Sequence, residues 1–211
     1  MHQSQVSQWV ARLTPILQIT FREINVLPTQ SVDILADSVQ SDTTLIVDAT
    51  EQEIQRPQDK NQQKKAYSGK KKHSKKHTLI TDLNKKVFYV GKAAQGATHD
   101  KKMADNEEIV FNFPVTVQAD LGYPGWKPKN ATLILPHKRK NKKYSLNPEQ
   151  QLDNYLLAKS RIKIEHTIAS IKRCRIAKEI VRYKLKVSKN IFFLLATSLH
   201  NFRLNPRLKP P

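Results

Sequence analysis

The chain has 211 residues, a formal net charge of +19 and one cysteine, Cys174. A single cysteine excludes an internal disulfide framework and suits a reducing cytoplasm. The longest apolar stretch, IFFLLA from Ile191, is too short to span a bilayer, so no membrane partner is expected. Residues 1–43 carry two arginines against four acids, so the positive charge belongs to the rest of the chain and favours a nucleic-acid partner.

The first predicted element is a helix over residues 4–20, where apolar side chains recur at helical spacing in SQVSQWVARLTPILQIT. A chain of this length can bury one good core with a small appendage. We therefore expect residues 1–40 to form a helical arm and residues 41–204 to form the main domain. The tail NPRLKPP, residues 205–211, is predicted to be disordered.

Short apolar runs predict the strands of a sheet. The β-branched run TLIV ends at Asp48, and the run VTVQA ends at Asp120. Between them, residues 77–82 and 86–91 are separated by the turn DLN and are typical of antiparallel neighbours. A last strand is predicted over residues 131–135.

Helical periodicity predicts three further elements. A short helix is expected from Thr98, a long one over residues 148–177, and a last, largely buried one in LKVSKNIFFLLATSLHNF. In the long helix Ile164, Ile168 and Ile171 form one apolar stripe. The predicted fold class is therefore α/β, a mixed sheet flanked by helices, with a short helical N-terminal arm.

Three carboxylates hold informative positions: Asp48 and Asp120 at predicted strand ends, and Glu165 on the long helix. If the two strands are neighbours, their carboxyl ends bring the aspartates together at the crevice where open α/β sheets bind ligands. Crowded carboxylates repel one another unless a hard cation joins them, and oxygen-only donors suit Mg²⁺ or Mn²⁺. Two such ions about 3.5–4 Å apart catalyse phosphoryl transfer on nucleic-acid backbones. The alternative is that the aspartates cap turns and Glu165 pairs with Arg161 or Lys172.

Two basic runs lie between these acids in the chain. Residues 64–76, predicted to be a loop, contain seven lysines and no acid, and residues 127–143 contain seven lysines or arginines and no acid. One such run alone is typical of a solvated loop, but two runs around a set of carboxylates favour tracking along DNA phosphates. The predicted DNA contacts are Lys70, Lys71, Lys72, Lys75, Lys76, Lys138, Arg139, Lys140, Arg161 and Lys172.

The motifs IVDATEQEIQRP, YSGKKKHSKKHTLITD, GATHD and ADLGYPG are followed by R-x-x-x-E-x-x-x-x-x-x-K over residues 161–172. In this order they resemble the DDE transposases of bacterial insertion sequences, in the branch with a helix-turn-helix ahead of a ribonuclease H-like domain. The resemblance runs from about residue 5 to residue 183. It implies a ribonuclease H-like fold, and it implies that Asp48, Asp120 and Glu165 are the catalytic, metal-binding triad.

The family resemblance also implies a chemistry and partners. It implies DNA cleavage and strand transfer at transposon ends with two Mg²⁺ ions, for which Mn²⁺ can substitute. The partners would be transposon-end and target DNA, bound by a homo-oligomer in the bacterial cytoplasm near the nucleoid. Asp100 in GATHD, with His99 and His166, is expected to support the triad, although helix capping is the simpler role for Asp100. Tyr123 and Trp126 either pack in the core or stack on an unpaired base.

Two other functions share these residues. SQVSQWVARL resembles the end of a recognition helix, so the chain is interpreted as N-terminally truncated. An incomplete helix-turn-helix would suit a non-catalytic DNA-binding remnant or an inhibitor of a full-length transposase. A metal-dependent nuclease acting on RNA or structured DNA would use the same triad. A metal-dependent DNA strand transferase is the function that we expect.

Overall fold

The structure is a computed structural model that describes residues 2–70, 72–139, 145–180 and 189–204. A six-stranded mixed sheet lies at its centre. The strands are β1 (Thr44–Glu53), β2 (Ser74–Asp82), β3 (Val87–Val90), β4 (Ala94–Gln95), β5 (Val110–Gln118) and β6 (Lys129–Ile134). The helices are α1 (Gln3–Glu23), α2 (Val32–Ser38), α3 (Lys60–Ala66), α4 (Asp100–Glu107), α5 (Pro148–Lys172), α6 (Arg175–Lys178) and α7 (Lys189–Leu204).

The strands follow the order β3-β2-β1-β5-β6, and β4 pairs with β2 outside this path. β1 and β3 run antiparallel to β2, whereas β5 runs parallel to both β1 and β6. An antiparallel meander is thus followed, after α4, by two parallel neighbours on the other side of β1. This order confirms the predicted α/β class, a ribonuclease H-like mixed sheet flanked by helices.

Each face of the sheet carries an apolar layer. Val47 of β1 faces one layer, where it packs with Leu35 of α2. Ile46 faces the other layer, with Ile164 of α5 and Phe193 of α7. All five side chains are fully buried. Because successive strand residues alternate between faces, the continuous apolar run TLIV supplies both layers.

Helix α5 begins and packs as predicted. The Asn147 side chain accepts a hydrogen bond from the backbone N–H three residues later at 2.7 Å, and Pro148 is the first helical residue. Ile164 and Ile171 of the predicted stripe are fully buried. The helix ends at Lys172 instead of running on to residue 177, because the chain turns there and begins the separate helix α6.

The basic run 64–76 is not wholly the loop that was predicted. Its first residues lie in α3, whose N-terminus is capped by the Asp59 side chain, which accepts a hydrogen bond from the Gln62 N–H at 2.8 Å. Its last residues lie in β2, which begins at Ser74. The sequence predicted β2 only from residue 77. It missed α3 and the start of β2 because both are mostly polar and are stabilised by a cap and by strand pairing.

Strand β1 does not end at Asp48, where the apolar run stops, but continues to Glu53. The extension forms because β2 pairs with β1 along this whole length, from Leu45–Asp82 to Glu53–Ser74. Asp48 therefore lies inside β1 rather than at its end. The backbone around Asp48 is consequently held by a hydrogen-bonded ladder.

The N-terminal arm consists of α1 and α2. In α1 only Thr14 and Phe21 are buried, and Phe21 packs with Leu195 of α7. Leu35 of α2, by contrast, belongs to the core beside the sheet. Among the helices of the described ranges, none combines the length and the apolarity needed to cross a lipid bilayer.

Two predictions fall on other parts of the chain. The predicted disordered tail, residues 205–211, lies outside the described residues. The first part of the predicted last helix also lies outside them, and α7 is described from Lys189 onward.

Candidate active site

Two aspartates lie side by side at the end of β5. β1 and β5 pair in parallel up to Ile46 and Gln118. Two residues beyond this last pair are Asp48, still within β1, and Asp120, just after β5, and the negative charge of Asp120 acts on Asp48. The Asp120 carboxylate accepts a hydrogen bond from the Gly122 N–H at 2.7 Å, which holds it at the start of the turn after β5. Strand register therefore brings the two predicted aspartates together.

Burial raises the pKa of Asp48 from 3.8 to about 6. The backbone N–H of Ala49, which donates to Asp48 at 2.8 Å, and the charge of Arg161 oppose this rise in pKa. The negative charges of Asp120 and Asp100 add to the rise. We call Asp48, Asp100 and Asp120 the carboxylate site, because their charges act on one another.

Asp100 enters the carboxylate site from the first turn of α4. Its Oδ1 accepts a hydrogen bond from Lys76 Nζ at 3.0 Å, and the same Nζ donates to the Thr98 carbonyl oxygen at 3.0 Å. Its Oδ2 faces Asp120 across Gly122. A Cβ atom on Gly122 would lie 3.3 Å from Asp100 Oδ2 and 2.8 Å from Asp120 Oδ1. Only a residue without a side chain fits between these two carboxylates without displacing them.

The Tyr123 hydroxyl is the least expected polar group at the site. Tyr123 is fully buried, and its oxygen has no hydrogen-bond partner among the described residues. Burial and the negative charges of Asp48, Asp100 and Asp120 raise the pKa of this phenol. Its ring lies 5.7 Å from that of Trp126, which is also buried. Both aromatic residues therefore pack in the core, and neither offers an exposed stacking platform.

Helix α5 brings a positive charge to the carboxylate site. Arg161 is partly buried and lowers the pKa of Asp48, and its Nε is buried without a partner among the described residues. Glu165, one turn further along α5, is exposed. Within the described ranges, no three His, Cys, Asp or Glu side chains lie close enough together to hold a metal ion. The structure thus brings Asp48 and Asp120 together and leaves Glu165 apart from them.

The two strand aspartates fit a divalent cation in their chemistry. Carboxylate oxygens are the donors that Mg²⁺ and Mn²⁺ prefer. The raised pKa of Asp48 shows that burial and neighbouring negative charges oppose its ionisation, which a divalent cation would relieve. Asp48 and Asp120 would hold such an ion. A third protein ligand would have to approach them, because no three potential metal ligands lie together among the described residues.

Three of the predicted DNA-binding lysines form ion pairs within the protein. The pairs are Lys70 with Glu51 at 3.6 Å, Lys72 with Glu53, and Lys76 with Asp100 at 3.0 Å. The Lys70 and Lys72 side chains are exposed, so their pairs are weak and DNA phosphates can compete for them. The Lys76 side chain is only 14% exposed and points to the carboxylate site.

The remaining predicted site residues are dispersed. Burial lowers the pKa of Lys172, which lies near the charges of Glu51, Glu53, Lys70 and Lys72. Lys75 lies on β2, and Lys138 and Arg139 are exposed after β6. His99 is exposed at the N-cap of α4, and His166 is exposed on α5. Lys71 and Lys140 lie outside the described residues.

The sequence pattern did not predict the burial of Lys76 against Asp100 or the buried hydroxyl of Tyr123. A signal for Lys76 exists in the β1–β2 register, where it pairs with Glu51 and so faces the same side of the sheet as Val47. α4, which carries Asp100, lies on that side. This register could not be predicted from hydrophobicity, because the paired ends of β1 and β2 are mostly polar.

Comparison with known protein families identifies the family of the chain. Residues 47–201, most of the chain, match the family described as DDE superfamily endonuclease. The matched segment includes Asp48, Asp120 and Glu165, together with the whole sequence from β2 to α6. Comparisons with curated proteins and with solved structures gave no match. This match over most of the chain, with which the ribonuclease H-like sheet is consistent, shows that the chain belongs to the DDE superfamily endonucleases.

Proposed function

We propose that this protein is a transposase that cleaves and joins DNA at transposon ends by two-metal phosphoryl transfer. The observation that carries the proposal is the parallel register that sets Asp48 beside Asp120 at the end of β5. Membership of the DDE superfamily endonucleases supports it. Asp48, Asp120 and Glu165 would hold two Mg²⁺ ions, with Mn²⁺ as a substitute.

The proposed roles of the residues follow from their positions. When bound, the divalent ions would supply an activated water and stabilise the oxygen that leaves the phosphodiester. Asp48 and Asp120 would hold the ions from a rigid strand pair, and Glu165 would approach them from α5. Arg161, whose Nε is buried without a partner among the described residues, would bind an oxygen of the phosphate being cut.

Two bond exchanges make up the proposed reaction. The water oxygen bonds to phosphorus at the transposon end, the bond from phosphorus to the 3′-oxygen breaks, and a free 3′-hydroxyl results. That 3′-oxygen then bonds to a phosphorus of the target strand and displaces the 3′-oxygen of the neighbouring nucleotide. No covalent bond to the protein is needed, because the residues only hold nucleophile and leaving oxygen in line.

The DNA path is proposed to follow the basic residues around this edge of the sheet. Lys70, Lys72 and Lys172 lie near one another beside Glu51 and Glu53, on the part of β1 that extends beyond Asp48. Phosphates that replace these glutamates as partners would release counterions, so binding should weaken steeply as salt rises. Lys75, Lys138 and Arg139 would extend this contact.

The test is cleavage of labelled supercoiled plasmid and short duplex DNA by the purified protein, with Mg²⁺, with Mn²⁺ or with a chelator. We expect metal-dependent nicking or strand joining that is lost in Asp120→Asn, while DNA binding remains. The loss should be about a thousandfold, since a metal-bound carboxylate contributes several kcal/mol to transition-state stabilisation. Glu149→Gln, an exposed change at the start of α5, serves as the matched control.

Each other outcome assigns a different function. Tight, salt-sensitive DNA binding without cleavage would contradict the transposase and identify a non-catalytic DNA-binding protein or inhibitor. The exposed position of Glu165, apart from the aspartates, is the observation that favours this second candidate. Cleavage of RNA or structured DNA in preference to duplex ends would instead identify a nuclease. Cleavage that survives Asp120→Asn would remove the triad assignment.

A further inference from the structure

Lys76 is bound on the protein side of the carboxylate site rather than displayed to solvent. Its Nζ donates to Asp100 Oδ1 and to the Thr98 carbonyl oxygen, both at 3.0 Å. Its side chain is 14% exposed, compared with 57% for Lys72 and 80% for Lys70 in the same basic run. An ammonium group held by two acceptors in this way is poorly placed to follow a DNA backbone.

The second carboxylate oxygen of Asp100, the partner of Lys76, lies near the Asp120 carboxylate. Asp100 Oδ2 and Asp120 Oδ1 lie on either side of Gly122, at 3.3 Å and 2.8 Å from the place where a Cβ atom of that glycine would be. The buried hydroxyl of Tyr123, which has no hydrogen-bond partner among the described residues, interacts with the charges of Asp48, Asp100 and Asp120. A buried polar atom without a hydrogen-bond partner calls for an explanation, and a cation or water bound beside these acids would supply one.

We propose that Lys76 and Asp100 are a pair of positioning residues that sets the affinity of the carboxylate site for divalent cations. Asp100 adds negative charge beside Asp120, and Lys76 both orients Asp100 and offsets part of that charge while no metal is bound. This inference rests on the proposed function, since it assumes that Asp48 and Asp120 bind a divalent ion. It assigns Lys76 to the metal site instead of to the DNA path.

The two members of the pair should act on metal affinity with opposite sign. Removing the Asp100 charge makes the site less negative, so cation binding weakens. Removing the Lys76 charge makes the site more negative, so cation binding tightens. If the ion pair only stabilised the fold, substitution of either residue would weaken cation binding, because either change would loosen the same contacts.

The experiment is calorimetric titration of Mn²⁺ into the purified full chain without DNA, with each variant first checked for folding by circular dichroism and thermal melting. The variants are Asp100→Asn, Lys76→Met and Lys76→Arg. We expect Asp100→Asn to raise the Kd for Mn²⁺, and Lys76→Met to lower it, by roughly threefold to tenfold each, as one unit charge acting through a screened site would. Lys76→Arg, which keeps the charge, should bind as the unchanged protein does.

The matched control pair is Lys101 with Asp105, which is also an ion pair of α4, at 2.5 Å, but exposed. Lys101→Met and Asp105→Asn should leave the Kd unchanged. Equal weakening by Asp100→Asn and Lys76→Met, or no change beyond the controls, would overturn the proposed pair while leaving the metal site in place. If the unchanged protein bound no Mn²⁺, or if Asp120→Asn bound it equally well, the proposed function would fall, and this inference with it.

Discussion

The candidate site has a strand side, Asp48 and Asp120, and a helix side, Glu165, and the backbone holds the strand side more rigidly. Asp48 lies within β1 and Asp120 follows the end of the neighbouring parallel strand β5, so strand pairing up to Ile46 and Gln118 holds the backbone next to both. Glu165 lies on α5, which packs through Ile164 and Ile171 and leaves this glutamate exposed one turn beyond Arg161. In the proposed site, the two aspartates are held on or beside paired strands, whereas Glu165 would reach them through its side chain or a small movement of the helix.

This difference shows which part of the site is preorganised. A cluster of partly buried carboxylates is costly without a counter-charge, and the raised pKa of Asp48 reflects that cost. An exposed glutamate has no such cost and is free to take different rotamers. We expect the strand aspartates to be the permanent part of the site and Glu165 to join them when cation and DNA are bound.

Glu165→Gln tests this comparison with the largest expected effect. Cleavage should fall about a thousandfold, as for the aspartates, because the change removes one of the proposed metal ligands. The free energy of unfolding should change by less than about 0.5 kcal/mol, because Glu165 is exposed. Cleavage rates and thermal melts of Glu165→Gln and Asp48→Asn, measured side by side, check both expectations.

Asp48→Asn should lose cleavage to a similar extent, yet unfold at a higher temperature at pH 8, because it removes a buried negative charge from a cluster of three. If Asp48→Asn and Glu165→Gln changed the stability equally, Asp48 and Glu165 would not differ in burial as the structure indicates. Full cleavage by Glu165→Gln would exclude the helix from the site.

Gly122→Ala tests the strand side alone. The added Cβ would approach Asp120 Oδ1 to 2.8 Å and Asp100 Oδ2 to 3.3 Å, so at least one carboxylate must move. A displacement of a few tenths of an ångström to 1 Å should lower the cleavage rate roughly tenfold to a hundredfold while the fold remains intact. The rate is measured on the same duplex substrate.

Gly125→Asn is the matched control for this change. Gly125 lies in the same turn with φ +79°, a region that asparagine visits more readily than other side-chain-bearing residues, and among the described residues a Cβ added there would meet Lys101 at 3.4 Å. This variant should cleave at close to the normal rate. If both variants were equally impaired, the turn as a whole would matter rather than the space between the two carboxylates.

Glu107→Gln tests a largely buried carboxyl group that lies outside the proposed metal site. Its expected effect is on stability and is the smallest of the predicted effects. Burial raises the pKa of Glu107 to about 7 from an ordinary 4.5, with its carboxyl group packed against Gly91 and Thr78. Glu107 is therefore protonated in the folded protein at pH values where the unfolded chain has already lost the proton. Its contribution to stability is complete below about pH 4.5 and is lost as the pH rises through 7.

Glu107→Gln should consequently raise the free energy of unfolding at pH 8 by about 1–3 kcal/mol and have little effect at pH 4.5. Urea denaturation at the two pH values measures this difference. Glu108→Gln, an exposed neighbour at the end of α4, is the control and should show no such pH dependence. Cleavage should be unaffected by either change, since Glu107 makes no contact with the proposed ligands.

Several elements could be predicted because their signals are local. The Asn147 cap and Pro148 marked the start of α5, and the isoleucine stripe identified its buried face. The run TLIV identified a strand that is buried on both faces. The polar end of β1, the helix α3 and the short β4 were missed because a partner strand or a cap stabilises them, and hydrophobic periodicity reports neither.

The sequence was enough to predict the α/β class and the antiparallel pair β2 and β3, because apolar runs and turn residues are local features. The same kind of signal, an acid after an apolar run, singled out Asp48 and Asp120, whose catalytic role stays a prediction. Tertiary structure alone decided that Lys76 faces Asp100 rather than solvent, that Tyr123 lies buried beside three carboxylates, and that Glu165 lies apart. Each of these depends on strand register or on the rotation of a helix about its axis. Both are set by packing between segments far apart in the sequence.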